Sequence, residues 1–154
     1  MQESVTKPAQ HPSSLFSIHR SRSPLIGTAI HDGHSVWPQL AAKMALDADG
    51  RLREEDPFTA QFIADIPNRI IVHRSRFEVD LNRTADGAIY FHPEQAWGID
   101  VWREQPAPDD VALLMRQHAG YYATLHQLLT DIEADHGRFV LLDIHSYNHR
   151  RGGA

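Results

Sequence analysis

Histidine motifs follow two apolar runs that lie near opposite ends of the chain. His31-Asp32-Gly33-His34 comes directly after the run at residues 24–30, and His145-Ser146 comes directly after the run at residues 139–144. Both runs are typical of buried strands in a parallel sheet. Ligand sites in open α/β sheets gather beyond the carboxyl ends of the strands, so we expect the two motifs to share one site. Imidazole is a common zinc ligand, and the pattern therefore predicts a metal site.

A catalytic zinc site needs about three protein ligands and one position for water. The metal lowers the pKa of that water to roughly 7 and polarises the carbonyl under attack. His31 and His145 are the first two candidate ligands, and Glu54-Glu55-Asp56 offers an acidic third. His34 is a rival because it lies three residues after His31. Asp56 also precedes a proline, and from its sequence pattern alone it is more typical of a helix N-cap.

Asp143 lies two residues before His145, so both side chains are expected on the same face of the strand. A carboxylate in that position can orient an imidazole ligand from behind. Alternatively, it can bond a neighbouring backbone amide. Asp143 is therefore a candidate for supporting catalysis without binding the metal itself.

A second polar cluster lies in the middle of the chain, where arginines and acidic residues alternate with apolar residues and end in Asn82-Arg83. An arginine fork recognises a carboxylate in bidentate fashion, so Arg83 with Asn82 is a candidate for holding an acidic substrate. Arg76 is a candidate for assisting there or for stabilising developing negative charge. Spacing alone favours a simpler interpretation, a solvated arginine loop in which Glu78 and Asp80 are surface ion-pair partners.

The elements that must position these groups follow from hydrophobic periodicity and from turn residues. Strands are predicted at about 24–30, 69–73 and 138–145, with an extended segment at 76–83. Helices are predicted from Pro38 to Leu46, from Asp56 to about Asp65 and from Pro108 to His136, with a turn at Asp47–Gly50. Strands that alternate with helices imply right-handed crossovers. We therefore expect a three-layer α/β/α fold with a mostly parallel sheet.

Five further histidines have ordinary predicted roles. His118 falls on the apolar stripe of the long helix and is predicted to be a core residue. Surface or tail positions are predicted for His11, His19, His126 and His136.

Size and composition limit the possible functions. The 154 residues are enough for one domain, and we expect a flexible leader at residues 1–22 followed by that domain at 23–154. The net charge of -5 argues against a large nucleic-acid surface. The lack of cysteine excludes a thiolate metal site and fits a cytoplasmic location. No apolar stretch is long enough to span a bilayer, so no membrane partner is expected.

Four stretches of this sequence resemble the N-formylglutamate amidohydrolase (N-formylglutamate deformylase) family. The matching stretches are Ile30-His31-Asp32-Gly33-His34, Arg53-Glu54-Glu55-Asp56-Pro57-Phe58, Ser75-Arg76-Phe77-Glu78-Val79-Asp80-Leu81-Asn82-Arg83 and Leu142-Asp143-Ile144-His145-Ser146. In order and spacing they extend over about residues 24–151. The Val-Asp-Leu-Asn-Arg string together with Asp-Ile-His-Ser makes the resemblance fairly specific.

The resemblance implies a zinc-carboxypeptidase-like fold and a metal-assisted hydrolase. Members cleave the formyl amide of N-formylglutamate to glutamate and formate, as in histidine breakdown. His31 and His145 then become metal ligands, and Asp56 becomes the acidic ligand of one zinc ion. Asn82 and Arg83 match the pair that holds the carboxylate of a small acidic N-acyl amino acid. Neither the residues nor the resemblance predicts an oligomeric state for this chain.

The resemblance also implies that the chain is truncated. Family members continue well past the Asp-x-His-Ser strand, and that later part carries a glutamate that resembles a general base. Here few residues follow His145-Ser146, and Glu54, Glu55 and Glu94 are the available substitutes. The alternative hypothesis is therefore a catalytically inactive fragment that binds a metal or a carboxylate ligand.

Overall fold

A four-stranded sheet forms the centre of the computed structural model, which describes residues 14–148. The strands are β1 (Phe16–His19), β2 (Leu25–Ala29), β3 (Asn68–Val72) and β4 (Val140–Asp143). Their order across the sheet is β1-β3-β2-β4. Strand β2 pairs in parallel with both β3 and β4, whereas β1 pairs antiparallel with β3. The predicted α/β class with a mostly parallel sheet is confirmed.

Helices connect these strands and cover the middle of the sheet. The α-helices of the described residues are α1 (Pro38–Ala41), α2 (Ala48–Glu54), α3 (Thr59–Phe62) and α4 (Pro108–His136), and a short 3-10 helix spans Pro93–Ala96. Helix α4 has the bounds that its periodicity predicts, and Gly137 ends it in the left-handed region at φ 72°. Between residues 14 and 148, no helix combines the length and the apolar character that crossing a membrane requires.

The two faces of the central strands pack against different helices. On one face the sheet and α4 form a core cluster that includes Ile26, Ile70, Val72, Tyr121, Leu128 and Ile132. On the other face Gly27 leaves room for Ile63 and Ile66, at the end of α3 and just after it. A Cβ atom at Gly27 would lie 2.8 Å from Ile66 Cδ1 and 2.9 Å from Ile63 Cγ2. Helices therefore cover both faces at β2, as a three-layer arrangement requires.

Strand β4 differs from the prediction of a buried strand. Its residues Val140, Leu141 and Leu142 are exposed, although the apolar run predicts burial. The reason is position, because β4 is the edge strand beyond β2 and its side chains are not part of the core cluster under α4. Apolar composition alone does not distinguish a central strand from an edge strand.

Part of the segment that was predicted to be a flexible leader is a strand of the sheet. Residues 1–13 lie outside the described part of the chain, but Phe16–His19 forms the antiparallel edge strand β1. Leu15 is buried in the core cluster under α4, and Phe16 packs against Tyr121 with ring centroids 5.6 Å apart. Pairing with β3 and burial of these two side chains hold the segment in the sheet.

Three local predictions need correction. Helix α1 ends at Ala41 rather than at Leu46. The predicted turn at Asp47–Gly50 is the start of α2, where the Asp47 carboxylate accepts a hydrogen bond of 2.8 Å from Gly50 N. The predicted second helix is limited to α3, which follows the left-handed residue Phe58 at φ 71°. At Asp47–Gly50 the side chain that suggested a turn caps a helix instead.

Candidate functional site

The two predicted histidines meet at the carboxyl ends of β2 and β4. One ligand atom from each of His31, Asp56 and His145 lies within 4.8 Å of the others. Asp56 Oδ2 is 3.4 Å from His31 Nδ1 and 3.0 Å from His145 Nδ1. The ring centroids of the two histidines are 5.0 Å apart. The structure therefore brings together the three side chains that the resemblance assigns to a metal.

The chemistry of this group of three side chains fits a divalent metal. His31 Nδ1 is buried and makes no hydrogen bond of good geometry, although Asp56 Oδ2 lies 3.4 Å away, and this is costly for a ring nitrogen unless something else binds it. Two imidazoles and one carboxylate are the ligand types that zinc takes in catalytic sites, with one position left for water. The donor set and the unpartnered nitrogen both support a metal between these residues.

Asp56 is not the N-cap residue that its sequence pattern favours. Its carboxylate faces the two histidines, and only its backbone serves the start of α3, where Asp56 O accepts a hydrogen bond of 3.4 Å from Thr59 N. The capping carboxylate is Asp32 instead, whose Oδ1 accepts a hydrogen bond of 2.9 Å from Ala60 N. Asp56 N donates to His31 O at 3.0 Å, so the two candidate ligands are joined through their backbones.

The loop after β2 is fixed against the end of β3. Ser35 N donates to His73 O at 3.1 Å, and Ser75 N donates to Ser35 O at 2.9 Å. Gly33 lies so close to β3 that a Cβ atom there would be 2.2 Å from the carbonyl carbon of His73. Only glycine fits at this position, since the contact is with backbone that cannot move aside. The loop that carries His31 therefore has a defined path.

Asp80 supports His31 from behind, and the sequence interpretation missed it. Asp80 Oδ1 lies 2.6 Å from His31 Nε2, and both side chains are almost fully buried. Asp80 Oδ2 accepts a hydrogen bond from Arg76 Nη2 at 2.7 Å and another from the Tyr90 hydroxyl. The contact fixes the orientation of the ring and directs Nδ1 toward Asp56. Asp80 is thus a buried orienting carboxylate rather than a surface ion-pair partner.

The buried side chains around Asp80 shift one another's pKa values. Burial disfavours the charged His31 ring, but its contacts with Asp56 and Asp80 outweigh burial and raise the pKa of His31. Burial also acts against ionised Asp80, whereas His31 and Arg76 hold the pKa of Asp80 well below its usual value. Burial and the Asp80 charge raise the pKa of Tyr90 to about 12, so its hydroxyl stays a donor.

The segment before Asp80 turns instead of extending as predicted. The turn at residues 76–78 produces two buried ion pairs at a spacing of four residues, Arg76 with Asp80 and Arg74 with Glu78. Arg74 also lies over the Trp37 ring, 4.2 Å from its centroid. Both acidic residues are fully buried, which corrects the prediction of a solvated arginine loop. Arginine forks satisfy the carboxylates in the interior.

Asp143 contacts His145 in the same way as Asp80 contacts His31. Asp143 Oδ2 lies 2.9 Å from His145 Nε2, and its Oδ1 accepts a hydrogen bond of 2.5 Å from the Thr28 hydroxyl. These side chains are more exposed, however, at 37% for Asp143 and 32% for His145. The predicted spacing of two residues along the strand does place both groups together.

The predicted carboxylate-binding pair lies at the surface beside the buried network. Asn82 and Arg83 are exposed, and Arg83 Nε is 3.9 Å from Asp80 Oδ2. Asn82 N donates to Asp80 Oδ1 at 2.8 Å, so the same carboxylate oxygen serves both His31 and this segment. A cleft of about 180 Å³ opens here, lined by Arg83, Thr84, Gly87, Tyr90 and Gln95. Arg83 offers a cationic group to an acidic ligand in this cleft.

The rival groups are placed apart from the three-residue cluster or are engaged elsewhere. His34 Nδ1 lies 2.5 Å from Glu55 Oε2, and Glu55 is buried directly beside Asp56 in the chain. Glu54 Oε1 accepts a hydrogen bond of 3.1 Å from Asn148. Glu94 is exposed in the 3-10 helix. Neither His34 nor Glu55 belongs to the group that the described residues form around Asp56.

Four of the five histidines with ordinary predicted roles lie in the described residues and agree with those roles. His118 is buried on α4, which confirms a core position. Surface positions are confirmed for His19, His126 and His136, and His11 lies outside the described residues.

Comparison with known proteins adds a fold and a family. A crystal structure of an N-formylglutamate amidohydrolase from Ralstonia eutropha JMP134 superposes with a TM-score of 0.72 at 15% sequence identity. The match covers 86% of this chain and 56% of that protein, so the chain spans little more than half of its length. No curated protein matches the chain at a significant level. The sequence model of the N-formylglutamate amidohydrolase family matches residues 23–154, and the chain therefore belongs to the N-formylglutamate amidohydrolase family.

Proposed function

We propose that this chain is a zinc-dependent amidohydrolase that removes the formyl group from N-formylglutamate or a related N-acyl amino acid. The observation that carries the proposal is the convergence of His31, Asp56 and His145, with their ligand atoms within 4.8 Å of one another. Membership in the family supplies the reaction class. The unpartnered, buried Nδ1 of His31 supports the metal requirement.

The reaction is the addition of water across an amide bond. The formyl carbon gains the hydroxyl of water, the C–N bond breaks and the nitrogen gains a proton, which gives formate and glutamate. A bound zinc ion supplies a Lewis acid for the carbonyl and lowers the pKa of water. The side chains that would hold it are His31, Asp56 and His145.

The chain's own residues orient these ligands and bind the substrate. Asp80 and Asp143 fix the two imidazole rings through contacts of 2.6 Å and 2.9 Å. Arg83 with Asn82 binds the carboxylate of the amino acid, which fixes the position of the amide relative to the metal ligands. Arg76 donates to Asp80 and to the Tyr90 hydroxyl, and its buried positive charge beside His31 favours negative charge that develops on the substrate.

Water must lose a proton and the leaving nitrogen must gain one, and the His34–Glu55 pair is the candidate to carry this proton between them. Its two side chains are 2.5 Å apart, and Glu55 precedes Asp56 directly in the chain. Glu55 Oε1 is buried without a hydrogen-bond partner, so the carboxylate has an acceptor position that its contact with His34 does not use. General acid–base catalysis requires a group of this kind.

A cytoplasmic location and a role in histidine catabolism are part of the same proposal. Both rest on the reaction that the family performs. The lack of cysteine agrees with a reducing compartment.

The direct test combines zinc analysis with turnover of the purified chain. We expect one zinc ion per chain and release of formate and glutamate from N-formyl-L-glutamate, with activity lost to a chelator and restored by zinc. Arg83→Ala should raise KM about 10- to 100-fold, since hydrogen bonds to a charged group are lost. Arg116→Ala removes an exposed arginine from α4 and is the matched control.

The outcomes separate the two functional hypotheses. Absence of zinc at stoichiometric level would overturn the metal site and with it the proposal. Zinc binding without release of formate or another acyl group would support the alternative, an inactive chain that binds a metal or a carboxylate ligand. Stabilisation by glutamate that disappears in Arg83→Ala would locate that ligand at the arginine.

A further inference from the structure

Two side chains of α4 hold the backbone of the segment that carries Asn82 and Arg83. The His118 ring makes a hydrogen bond of 2.9 Å from Nε2 to Arg83 O. The Tyr122 hydroxyl donates to Leu81 O at 2.5 Å. The two carbonyls belong to the residues on either side of Asn82, so the pair brackets it. His118 and Tyr122 lie one helical turn apart, with ring centroids separated by 4.9 Å.

The opposite side of this segment is held by Asp80. Asn82 N donates to Asp80 Oδ1 at 2.8 Å, and Arg83 N donates to Asp80 O at 3.2 Å. The amides of Asn82 and Arg83 therefore bond to Asp80. The carbonyls of Leu81 and Arg83 bond to side chains of α4. The segment has no regular secondary structure of its own, so these hydrogen bonds define its path.

Helix α4 is a suitable support for such a contact. It is 29 residues long, and Leu114, Tyr121, Leu128 and Ile132 are buried along it. His118 lies in this buried row, whereas Tyr122 is partly exposed next to it. A polar ring in a buried row needs a hydrogen-bond acceptor, and Arg83 O provides it.

We propose that His118 and Tyr122 are positioning residues that preorganise Asn82 and Arg83 for the carboxylate of an N-acyl amino acid. The inference rests on the proposed function of Asn82 and Arg83 and adds two residues that act through them. Neither ring is assigned any contact with substrate. A segment that is ordered before the ligand arrives loses less conformational freedom on binding, and affinity rises accordingly.

The test measures ligand affinity in the metal-free chain, so that it does not depend on the zinc site. The probe is N-acetyl-L-glutamate, titrated by calorimetry into wild type, Tyr122→Phe, His118→Phe and His118→Gln. Tyr122→Phe keeps the ring and removes the hydroxyl, and we expect affinity to fall about three- to tenfold. His118→Phe should have a similar effect, and His118→Gln, which keeps an N–H donor, should restore most of the affinity.

Tyr121→Phe is the matched control. Tyr121 is the neighbouring tyrosine on α4 and packs against Phe16 on the sheet side. Removal of its hydroxyl should leave the affinity for N-acetyl-L-glutamate unchanged. Thermal unfolding of each variant shows whether the fold is intact, and Tyr122→Phe at a partly exposed position keeps the test valid if His118→Phe unfolds.

Kinetics give a second readout that a purely structural role would not produce. With the zinc-loaded chain and N-formyl-L-glutamate, Tyr122→Phe should raise KM about three- to tenfold and leave kcat unchanged. Equal affinity for the probe in wild type and Tyr122→Phe, or a fall in kcat alone, would overturn the positioning role.

Failure of the proposed carboxylate binding by Asn82 and Arg83 gives a different pattern. Wild type would then bind no N-acetyl-L-glutamate, or would bind it equally well after Arg83→Ala, and the positioning role would fall with it. If wild type binds through Arg83 and hydrolyses the substrate, and Tyr122→Phe has the same affinity and KM as wild type, only the positioning role is overturned.

Discussion

The β2 half and the β4 half of the candidate site use the same parts in different surroundings. Each half has an apolar strand, a histidine beyond its end and a carboxylate that contacts Nε2 of that histidine. In the β2 half His31 is only 1% exposed, and its carboxylate Asp80 is fully buried. In the β4 half the strand is at the edge, and His145 is 32% exposed.

This difference shows that one half of the site is fixed and the other is less constrained. Asp80 is tied to an arginine, a tyrosine and the backbone of Asn82, so His31 has a single well-supported orientation. Asp143 has Thr28 and His145 as its partners. We therefore expect substitutions in the β2 half to reduce zinc affinity and stability more than the equivalent substitutions in the β4 half.

The largest expected effect is on metal affinity, and it compares the two histidines. His31→Ala should lower zinc affinity by at least about a hundredfold, more than the loss of an orienting carboxylate costs. His145→Ala should also weaken binding but by less, because an exposed site can replace the ligand with water. Competitive titration with a zinc chelator measures both constants. Equal losses would contradict the idea of a fixed half and a less constrained half.

The second prediction compares substitution of the two carboxylates that orient the histidines, Asp80 and Asp143. Asp80→Asn should lower zinc affinity about 10- to 100-fold and reduce the free energy of unfolding by about 3–5 kcal/mol, because Arg76 loses its buried partner. Asp143→Asn should reduce zinc affinity about tenfold, at the low end of that range, with little loss of stability. Zinc titration and urea unfolding give the two values for each variant.

Glu78→Gln is the control for Asp80→Asn. Glu78 is equally buried and is also paired with an arginine four residues earlier, but it has no contact with His31. We expect a comparable loss of unfolding free energy with unchanged zinc affinity in the folded protein. If Glu78→Gln also weakens zinc binding, the effect of Asp80→Asn reflects general stability rather than orientation of the ring.

The smallest expected effect compares the strands themselves. Ile26→Val in β2 removes one methylene from the core and should cost about 0.5–1.5 kcal/mol. Val140→Ala in β4 changes an exposed side chain and should stay within about 0.5 kcal/mol. Urea unfolding of both variants measures the difference. A larger loss for Val140→Ala would mean that β4 is covered in solution.

The helices and strands that were predicted correctly are those with a long periodic pattern or a continuous apolar run in their own residues. The periodicity of α4 and its terminal glycine gave both ends of the helix, and the apolar runs located β2 and β3. Strand β1 was missed because it is a short edge strand in a polar stretch, where pairing with β3 rather than its own residues makes it a strand. The exposure of β4 was missed because an apolar run does not reveal how many neighbours a strand has.

The candidate site was predicted only in part, because some of its residues have a local sequence signal and others do not. His31 and His145 stand at strand ends, and the topology of parallel strands brings such ends together. The role of Asp80 could not be read from its neighbours, since alternation with Val79 and Leu81 suggested a solvent-facing side. The turn at residues 76–78 reverses that inference, because it closes the arginine pairs and directs Asp80 to His31.

Gly33 has a consequence for the range of sequences that this site tolerates. Even one methyl group there would collide with the main chain of His73 and Arg74. Alanine would have to push the loop outward, and His31, two positions earlier, would shift with it. A saturation library at this codon should therefore retain a single amino acid under selection for metal binding, although the residue itself offers no ligand atom.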